Sequence, residues 1–289
     1  MTPTTPSRTA EWVCIMRAVE NLRAPDSRVL ADPYAHWFLS KPSRKWLGAV
    51  DATQRAVGTI PLMMPGLATF VAARHRFMDD ALQRALRDPG FDQVVVLGAG
   101  YDARAWRFAE ALAGRPVFEV DHPATSARKQ RILQRHRAEL PASNVHHVQI
   151  DFETQRLQDV LAAAGFRKGG RTFFTWEGVS MYLTRAAIKG TLGTLAGLGG
   201  PGSELVMDYW QLLDHPDPVG TAHCVSAGLL HLLGEPITFA LHPEEGPDFL
   251  RRNDWTALDV ADAAELGRRY LKDGRLVYPA TWVTHARSG

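Results

Sequence analysis

Cysteine is nearly absent, with only Cys14 and Cys224 in 289 residues. They lie far apart and in no metal or redox spacing. That excludes a disulfide framework or a zinc ribbon and leaves two free thiols in a reducing compartment. An excess of one charge is also missing, because 33 basic side chains face 31 acidic ones for a formal net charge of +2. A nucleic-acid binder normally shows a basic stripe. The nearest approach to one is Arg128, Lys129, Arg131, Arg135 and Arg137, which helical spacing spreads around the helix as a solvated face. No window reaches the roughly 18 apolar residues of a membrane helix. The opening MTPTTPSRTAEW lacks the charged start and apolar run of a signal peptide. The expectation is a cytoplasmic protein with neither nucleic acid nor membrane as partner, and without internal repeats.

What is present is a globular balance of 45% hydrophobic and 22% charged residues. Residues 1–8 read as a Thr- and Pro-rich tail. Residues 9–90 read as helical: Trp12, Ile15, Met16 and Val19 share one face, a short helix starts at Asp32-Pro33, and a long one runs from Leu67 to Arg87. From residue 91 the pattern changes. Continuous apolar runs at Gln93–Leu97, Val117–Asp121, Val145–Asp151, Arg171–Glu177 and Glu204–Asp208 alternate with helical segments at Ala103–Leu112, Thr125–Arg137, Leu157–Gly165 and Arg185–Leu198. This alternation predicts βαβ units and a parallel sheet. Two further strands are read near Thr256–Val260 and Leu276–Thr284, with a helix at Ala263–Leu271 between them. The domain reading is thus a helical cap over 9–90 and an α/β domain over 91–289. Within the latter, an irregular stretch at 211–247 interrupts the sheet as an insertion.

Ligands of open parallel sheets bind at the carboxyl ends of the strands, so the polar residues stationed there carry the functional reading. The first strand ends in Gly98-Ala99-Gly100, which permits a tight turn and close approach of a ligand to the backbone. The second ends in Asp121, placed to accept hydrogen bonds from ribose hydroxyls, with Glu119 earlier in the strand as a partner for a neighbouring group. Asp151 and Phe152 follow the third strand and suit an adenine, one accepting from the exocyclic amine and the other packing on the base. The alternative is an Asp that caps the next helix. Glu177 ends the fourth strand among aromatic residues, where a buried carboxylate needs a partner such as the ammonium or sulfonium of S-adenosylmethionine (SAM). A dinucleotide oxidoreductase binding NAD or a flavin is the rival. Asp102 at the helix start counts against it, because an anion there repels a pyrophosphate.

Three stretches then invite a comparison: Val96-Leu97-Gly98-Ala99-Gly100-Tyr101-Asp102-Ala103-Arg104, Phe118-Glu119-Val120-Asp121-His122-Pro123, and Thr175-Trp176-Glu177-Gly178-Val179-Ser180-Met181-Tyr182-Leu183. Together with Ala73-Arg74-His75-Arg76 upstream and Gly234-Glu235-Pro236-Ile237 downstream, they resemble the leucine carboxyl methyltransferase family. The likeness is to its bacterial branch, some of whose members act in polyketide pathways. The resemblance implies a Rossmann-like SAM methyltransferase fold, a mostly parallel seven-stranded sheet with an N-terminal helical cap and a cap insertion after the fifth strand. It implies SAM as cofactor and S-adenosylhomocysteine as product. By the same resemblance Arg74 binds the SAM carboxylate with help from Arg17, Gly98 lies under the methionine moiety with Ala99 and Gly100 also in the cofactor site, Asp121 holds the ribose, Asp151 and Phe152 hold the adenine, and Glu177 lies near the amino acid part.

The implied reaction is transfer of the methyl group to a carboxylate or hydroxyl of a small molecule, with methylation of nitrogen or carbon as the alternative. No metal is implied. A carboxylate acceptor needs no base and a hydroxyl does. The residues considered for the acceptor side are Tyr182, His223, His231 and Asp208. Trp37, Trp46, Met63, Met64 and Trp210 are candidates for an apolar lining.

Overall fold

The computed structural model describes residues 7–57, 66–152, 154–211 and 237–289. At its centre lies β1 (Gln93–Leu97), buried along its whole length. Its two neighbours are β2 (Val117–Asp121) and β4 (Thr172–Trp176), both parallel to it. The sheet continues in parallel through β3 (Val145–Gln149) on one side and β5 (Glu204–Trp210) on the other. It ends in two antiparallel strands, β6 (Trp255–Asp262) and β7 (Thr281–Ser288). The order is β3-β2-β1-β4-β5-β7-β6, the mostly parallel seven-stranded α/β sheet expected from the sequence. The chain reverses direction across the sheet at β1, so the loops after β1 and β4 diverge there and leave a crevice.

Alternation along β1 divides the interior in two. Val94 and Val96 point into one core, shared with α1 (Arg8–Glu20) and α3 (Leu67–Leu86), whose Phe70, Phe77, Met78 and Leu82 are buried. Val95 and Leu97 point into the other, shared with α7 (Leu157–Ala163) and α8 (Arg185–Leu198). In α8 the buried Ile188, Leu192 and Leu195 recur at the spacing of one helix face. Each such side chain contributes about 1.5–3 kcal/mol when fully buried. The remaining α-helices among the described residues are α2 (Lys41–Val57), α4 (Arg104–Arg107), α5 (Ala109–Leu112), α6 (Pro123–Arg135), α9 (Gly246–Arg251) and α10 (Ala263–Tyr270).

Several boundaries differ from the sequence reading. Helix α1 starts at Arg8, inside the stretch read as tail, because Ser7 caps it: the Ser7 Oγ accepts from the Ala10 N–H at 3.1 Å. The single helix read over 103–112 is two short turns, α4 and α5, broken at Phe108 with φ −116° and ψ 24°. The last strand starts at Thr281 instead of Leu276, because the preceding segment is tied elsewhere: the Tyr278 N–H donates to the Gly66 carbonyl at 3.1 Å. The basic run in α6 is not one solvated face. Lys129 is buried, with its Nζ 2.7 Å from Glu119 Oε2, and His147 Nδ1 stands 3.1 Å from the same oxygen. Glu119 is therefore consumed inside the protein.

Within 211–247, residues 237–247 turn toward the second core. Phe239 and Leu241 are buried there, and the Leu241 N–H donates to the Trp210 carbonyl at 2.8 Å. No helix among the described residues is long and apolar enough to cross a membrane.

Candidate active site

A cavity of about 500 Å³ opens at the carboxyl ends of β1, β2 and β4 and is closed on one side by the first turns of α1. Its floor is the loop after β1, where Gly98 (φ 60°) and Gly100 (φ 46°) both adopt left-handed backbone. A Cβ on Gly98 would lie 2.4 Å from Val179 Cγ2, so the loop after β4 packs directly on a glycine that cannot carry a side chain. Asp121 ends β2 and accepts the Gly100 N–H on Oδ2 and the His122 N–H on Oδ1, the latter at 2.6 Å. Burial pushes its carboxyl above the ordinary range, in spite of the two amide donors.

Helix α3 delivers Arg74, which is buried. Its Nε donates to Glu177 Oε1 at 3.0 Å and its Nη1 to Asp208 Oδ2 at 2.7 Å. Its third nitrogen, Nη2, is shut off from solvent and has no partner among the described residues. Arg17 from α1 is similar: Nη1 donates to Asp32 Oδ2 at 2.8 Å and Nη2 to the Tyr101 carbonyl at 2.7 Å, while Nε is buried with no hydrogen-bond partner among the described residues. Both arginines line the cavity. Buried donors in folded proteins nearly always find acceptors, and two on one cavity that have none among the described residues fit a ligand carboxylate.

Beneath them lies an ionic cluster. Arg104 Nε donates to Asp79 Oδ1 at 2.7 Å, Nη1 pairs with Asp102 and Nη2 lies 2.9 Å from Glu177 Oε2. Arg107 Nη2 donates to Asp79 Oδ2 at 2.5 Å. Burial opposes the charge on Glu177, but His75, Arg104 and Arg74 hold its carboxyl well below the carboxylate range. Its burial is thus met by partners within the chain, and the sequence argument that it requires a cationic ligand falls away. Asp102 accepts the Arg104 N–H at 2.7 Å at the start of α4, and its carboxyl is held at about 2, because Arg104 and the other basic groups around it together outweigh burial. His75, Asp102 and Glu177 also approach one another closely enough to hold a metal. Arg104, though, already bridges the two carboxylates.

Burial and Arg104 push the His75 pKa down, against the pull of Glu177 and Asp79. The His75 Nε2 faces Arg107 Nη1 at 3.0 Å, and its Nδ1 lies 2.9 Å from Arg104 Nη2 and 3.0 Å from Glu177 Oε2. A folded pKa below the unfolded value of about 6.5 means that the unfolded chain protonates first. The stability His75 contributes is present above about pH 6.5 and is lost as pH falls toward its folded pKa, by at most about 1.4 kcal/mol per pH unit. We expect urea midpoints to drop between pH 7 and 5, with a smaller drop in His75→Gln. An equal drop in the variant would remove this assignment.

The structure brings Arg17, Arg74, Gly98, Ala99, Gly100, Asp121, Asp151, Phe152, Glu177 and Tyr182 to one cavity. Phe152 stands at its rim, 62% exposed. Asp151 is not the cap of the next helix, whose N-cap is Arg156; its Oδ2 accepts from Thr154 Oγ1 at 3.0 Å and its carbonyl from the Gln155 N–H at 2.8 Å. Asp208 is not placed as a base, because it is fully buried behind Arg74 and does not line the cavity. Nor do Trp37, Trp46 or Trp210: Trp37 stacks on His136 at 4.2 Å, Trp46 is 41% exposed, and Trp210 is buried against Tyr278. His223, His231, Met63, Met64, Cys224 and Gly234–Pro236 lie outside the described residues. Sequence reasoning missed His75, His122 and the α1 wall of Ser7, Thr9, Ala10 and Val13. The one available signal was His75 and Asp79, four apart on a helix already assigned to the site.

Comparison with known proteins agrees with this geometry. The model of the family described as leucine carboxyl methyltransferase matches residues 10–196. A Streptomyces coelicolor protein, provisionally named as an S-adenosyl-L-methionine-dependent methyltransferase, is 34% identical over 262 residues, which cover 86% of this chain and 81% of that protein. A Rhodococcus jostii protein with the same provisional name is 32% identical over 200 residues, 69% of this chain and 64% of that one. Among solved structures, a DUF574 family protein of Streptomyces avermitilis superposes with a TM-score of 0.58 at 16% identity, covering 94% of this chain and 100% of the other. At that identity the likeness concerns the fold alone.

Proposed function

This chain belongs to the leucine carboxyl methyltransferase family and is an S-adenosylmethionine-dependent methyltransferase, and from that premise we propose that it methylates an oxygen, carboxylate or hydroxyl, of a small organic molecule. The observation that carries the proposal is the polarity of the cavity. Arg17, Arg74 and Asp121 converge on the glycine loop, while Val13, Val179 and Leu183 form an apolar wall beside Tyr182. The family's description names a carboxyl group as acceptor, which supports oxygen over nitrogen or carbon.

When bound, SAM supplies a methyl group on a sulfonium, open to displacement by a nucleophile. The chain's part is to bind, align and exclude water, effects able to supply on the order of 7–11 kcal/mol. Arg74 Nη2 and Arg17 Nε offer donors to the amino acid carboxylate. Asp121 offers its remaining lone pairs to the ribose. Asp151 and Phe152 would flank the adenine. The buried surroundings suit a ligand with a net positive charge. Four guanidinium groups (Arg17, Arg74, Arg104 and Arg107) face five carboxylates (Asp32, Asp79, Asp102, Glu177 and Asp208). Helix α1 supplies one wall for the acceptor. The acceptor proposed for that side of the cavity is an organic acid or phenol of secondary metabolism.

The test is transfer of labelled methyl groups from SAM to a panel of organic acids, phenols and amines. Methyl esters or ethers among the products support the proposal, and exclusive N- or C-methylation would sink it. Tyr182 separates the two oxygen classes. In Tyr182→Phe, turnover of hydroxyl acceptors should fall by roughly 10²-fold, the scale of a lost general base. Carboxylates, already ionised, should be turned over much as before. An equal effect on both would assign Tyr182 to packing.

A further inference from the structure

We propose that Asp208 positions Arg74 for the cofactor and ties that arginine to the loop carrying Tyr182; the inference rests on the cavity being the SAM site. Asp208 lies in β5, hydrogen-bonded between β4 and β7, and its side chain is wholly buried. Three of its atoms are engaged by groups of the site. Oδ2 accepts from Arg74 Nη1 at 2.7 Å, and Oδ1 accepts the Gly178 N–H at 2.7 Å. The main-chain carbonyl accepts the Ser180 hydroxyl at 2.6 Å.

One residue of a rigid strand therefore holds both the guanidinium and two points of the segment 178–182. The consequence for Arg74 is geometric. An arginine has a long flexible stem, and its planar fork recognises a carboxylate only when its orientation is fixed. Glu177 holds Nε and Asp208 holds Nη1, which leaves Nη2 as the donor with no partner among the described residues. Glu177 alone would leave the fork free to pivot about a single contact. The close packing of this loop shows at Gly178 (φ 68°), where a Cβ would stand 3.5 Å from Arg74 Nη2. Asp208 does not reach the cavity, so its action is through Arg74 and the loop.

The test uses two ligands that differ in the part Arg74 would hold: S-adenosylhomocysteine, and 5′-deoxy-5′-methylthioadenosine, which has the same nucleoside and no amino acid carboxylate. Calorimetry on the full chain should show that Asp208→Asn weakens S-adenosylhomocysteine by about tenfold and methylthioadenosine by less than about twofold. Equal loss of both, or loss of neither, overturns the proposal, since a merely structural role would not distinguish the ligands. Should Asp208→Asn fail to fold, Ser180→Ala removes only the hydroxyl bond to the Asp208 carbonyl. It should lower kcat while leaving S-adenosylhomocysteine affinity intact, and an unchanged kcat overturns the link to the loop. A wild-type protein that binds neither ligand would instead overturn the cofactor reading itself.

Discussion

Arg104→Met is expected to destabilise the protein by about 3–5 kcal/mol, the cost of removing one partner from a buried ionic pair. Arg104 is 2% exposed and serves Asp79, Asp102 and Glu177 at once. The three carboxylates would not suffer equally. Asp79 keeps Arg107, and Glu177 keeps Arg74. Among the described residues Asp102 loses its only ion-pair partner within 4 Å, so the penalty concentrates there and its carboxyl should titrate upward. Two results follow from that localisation. Adding Asp102→Asn to the Arg104→Met background should recover a good part of the loss. The deficit should also shrink as pH is lowered toward 4, where Asp102 can take up a proton. Urea unfolding of the three proteins at pH 7 and pH 4.5 measures both. A loss below about 1 kcal/mol, typical of an exposed pair, would mean that the cluster is solvated and does not organise the site.

The sheet was legible in the sequence because its strands are buried on both faces, and such strands appear as continuous apolar runs. Val94–Leu97 and Phe173–Trp176 needed no tertiary knowledge. The last strand was misplaced because Leu276, Val277 and Tyr278 have strand-like side chains, while the chain spends the Tyr278 N–H on Gly66, some 200 residues away in sequence. The break at Phe108 is equally non-local in origin. Arg104 and Arg107, on the short turn before it, are held from outside by Asp79 and by the Ala31 carbonyl. Residues that contact distant partners escape any reading based on local period.

The candidate site divides along the same line. Glycines and carboxylates at strand ends could be named because topology alone stations them at the crevice. Arg74 was different: on its own it reads as a surface helix charge, and only the family resemblance singled it out. Its burial depends on Asp208 and Glu177, which lie 134 and 103 residues further along the chain. Glu177 was singled out because a buried carboxylate demands a cation, and the demand was real. The sequence could not show that Arg74 and Arg104 would satisfy it. Lys129 makes the converse point. A basic residue in a basic run reads as solvated until Glu119, on the neighbouring strand, is brought within 2.7 Å.

Arg74→Ala is the change expected to affect function most. A hydrogen bond to a charged group contributes about 1.5–3 kcal/mol, so affinity for S-adenosylhomocysteine should fall by roughly 10- to 150-fold. Methylthioadenosine, which has no carboxylate, should bind the variant nearly as well as the wild type. The substitution also strands Asp208, which is fully buried and would retain only the Gly178 N–H on its carboxylate. Part of the effect is therefore loss of stability, which urea unfolding reports separately. Arg74→Lys resolves the two contributions. An ammonium can neutralise Asp208, but it has no planar fork with which to hold Glu177, Asp208 and a ligand together. It should restore most of the stability and little of the affinity. If Arg74→Ala keeps its affinity for S-adenosylhomocysteine within about twofold, the carboxylate is held elsewhere. Arg17 is then the residue to change, because its buried Nε is the other unpartnered guanidinium donor on this cavity among the described residues.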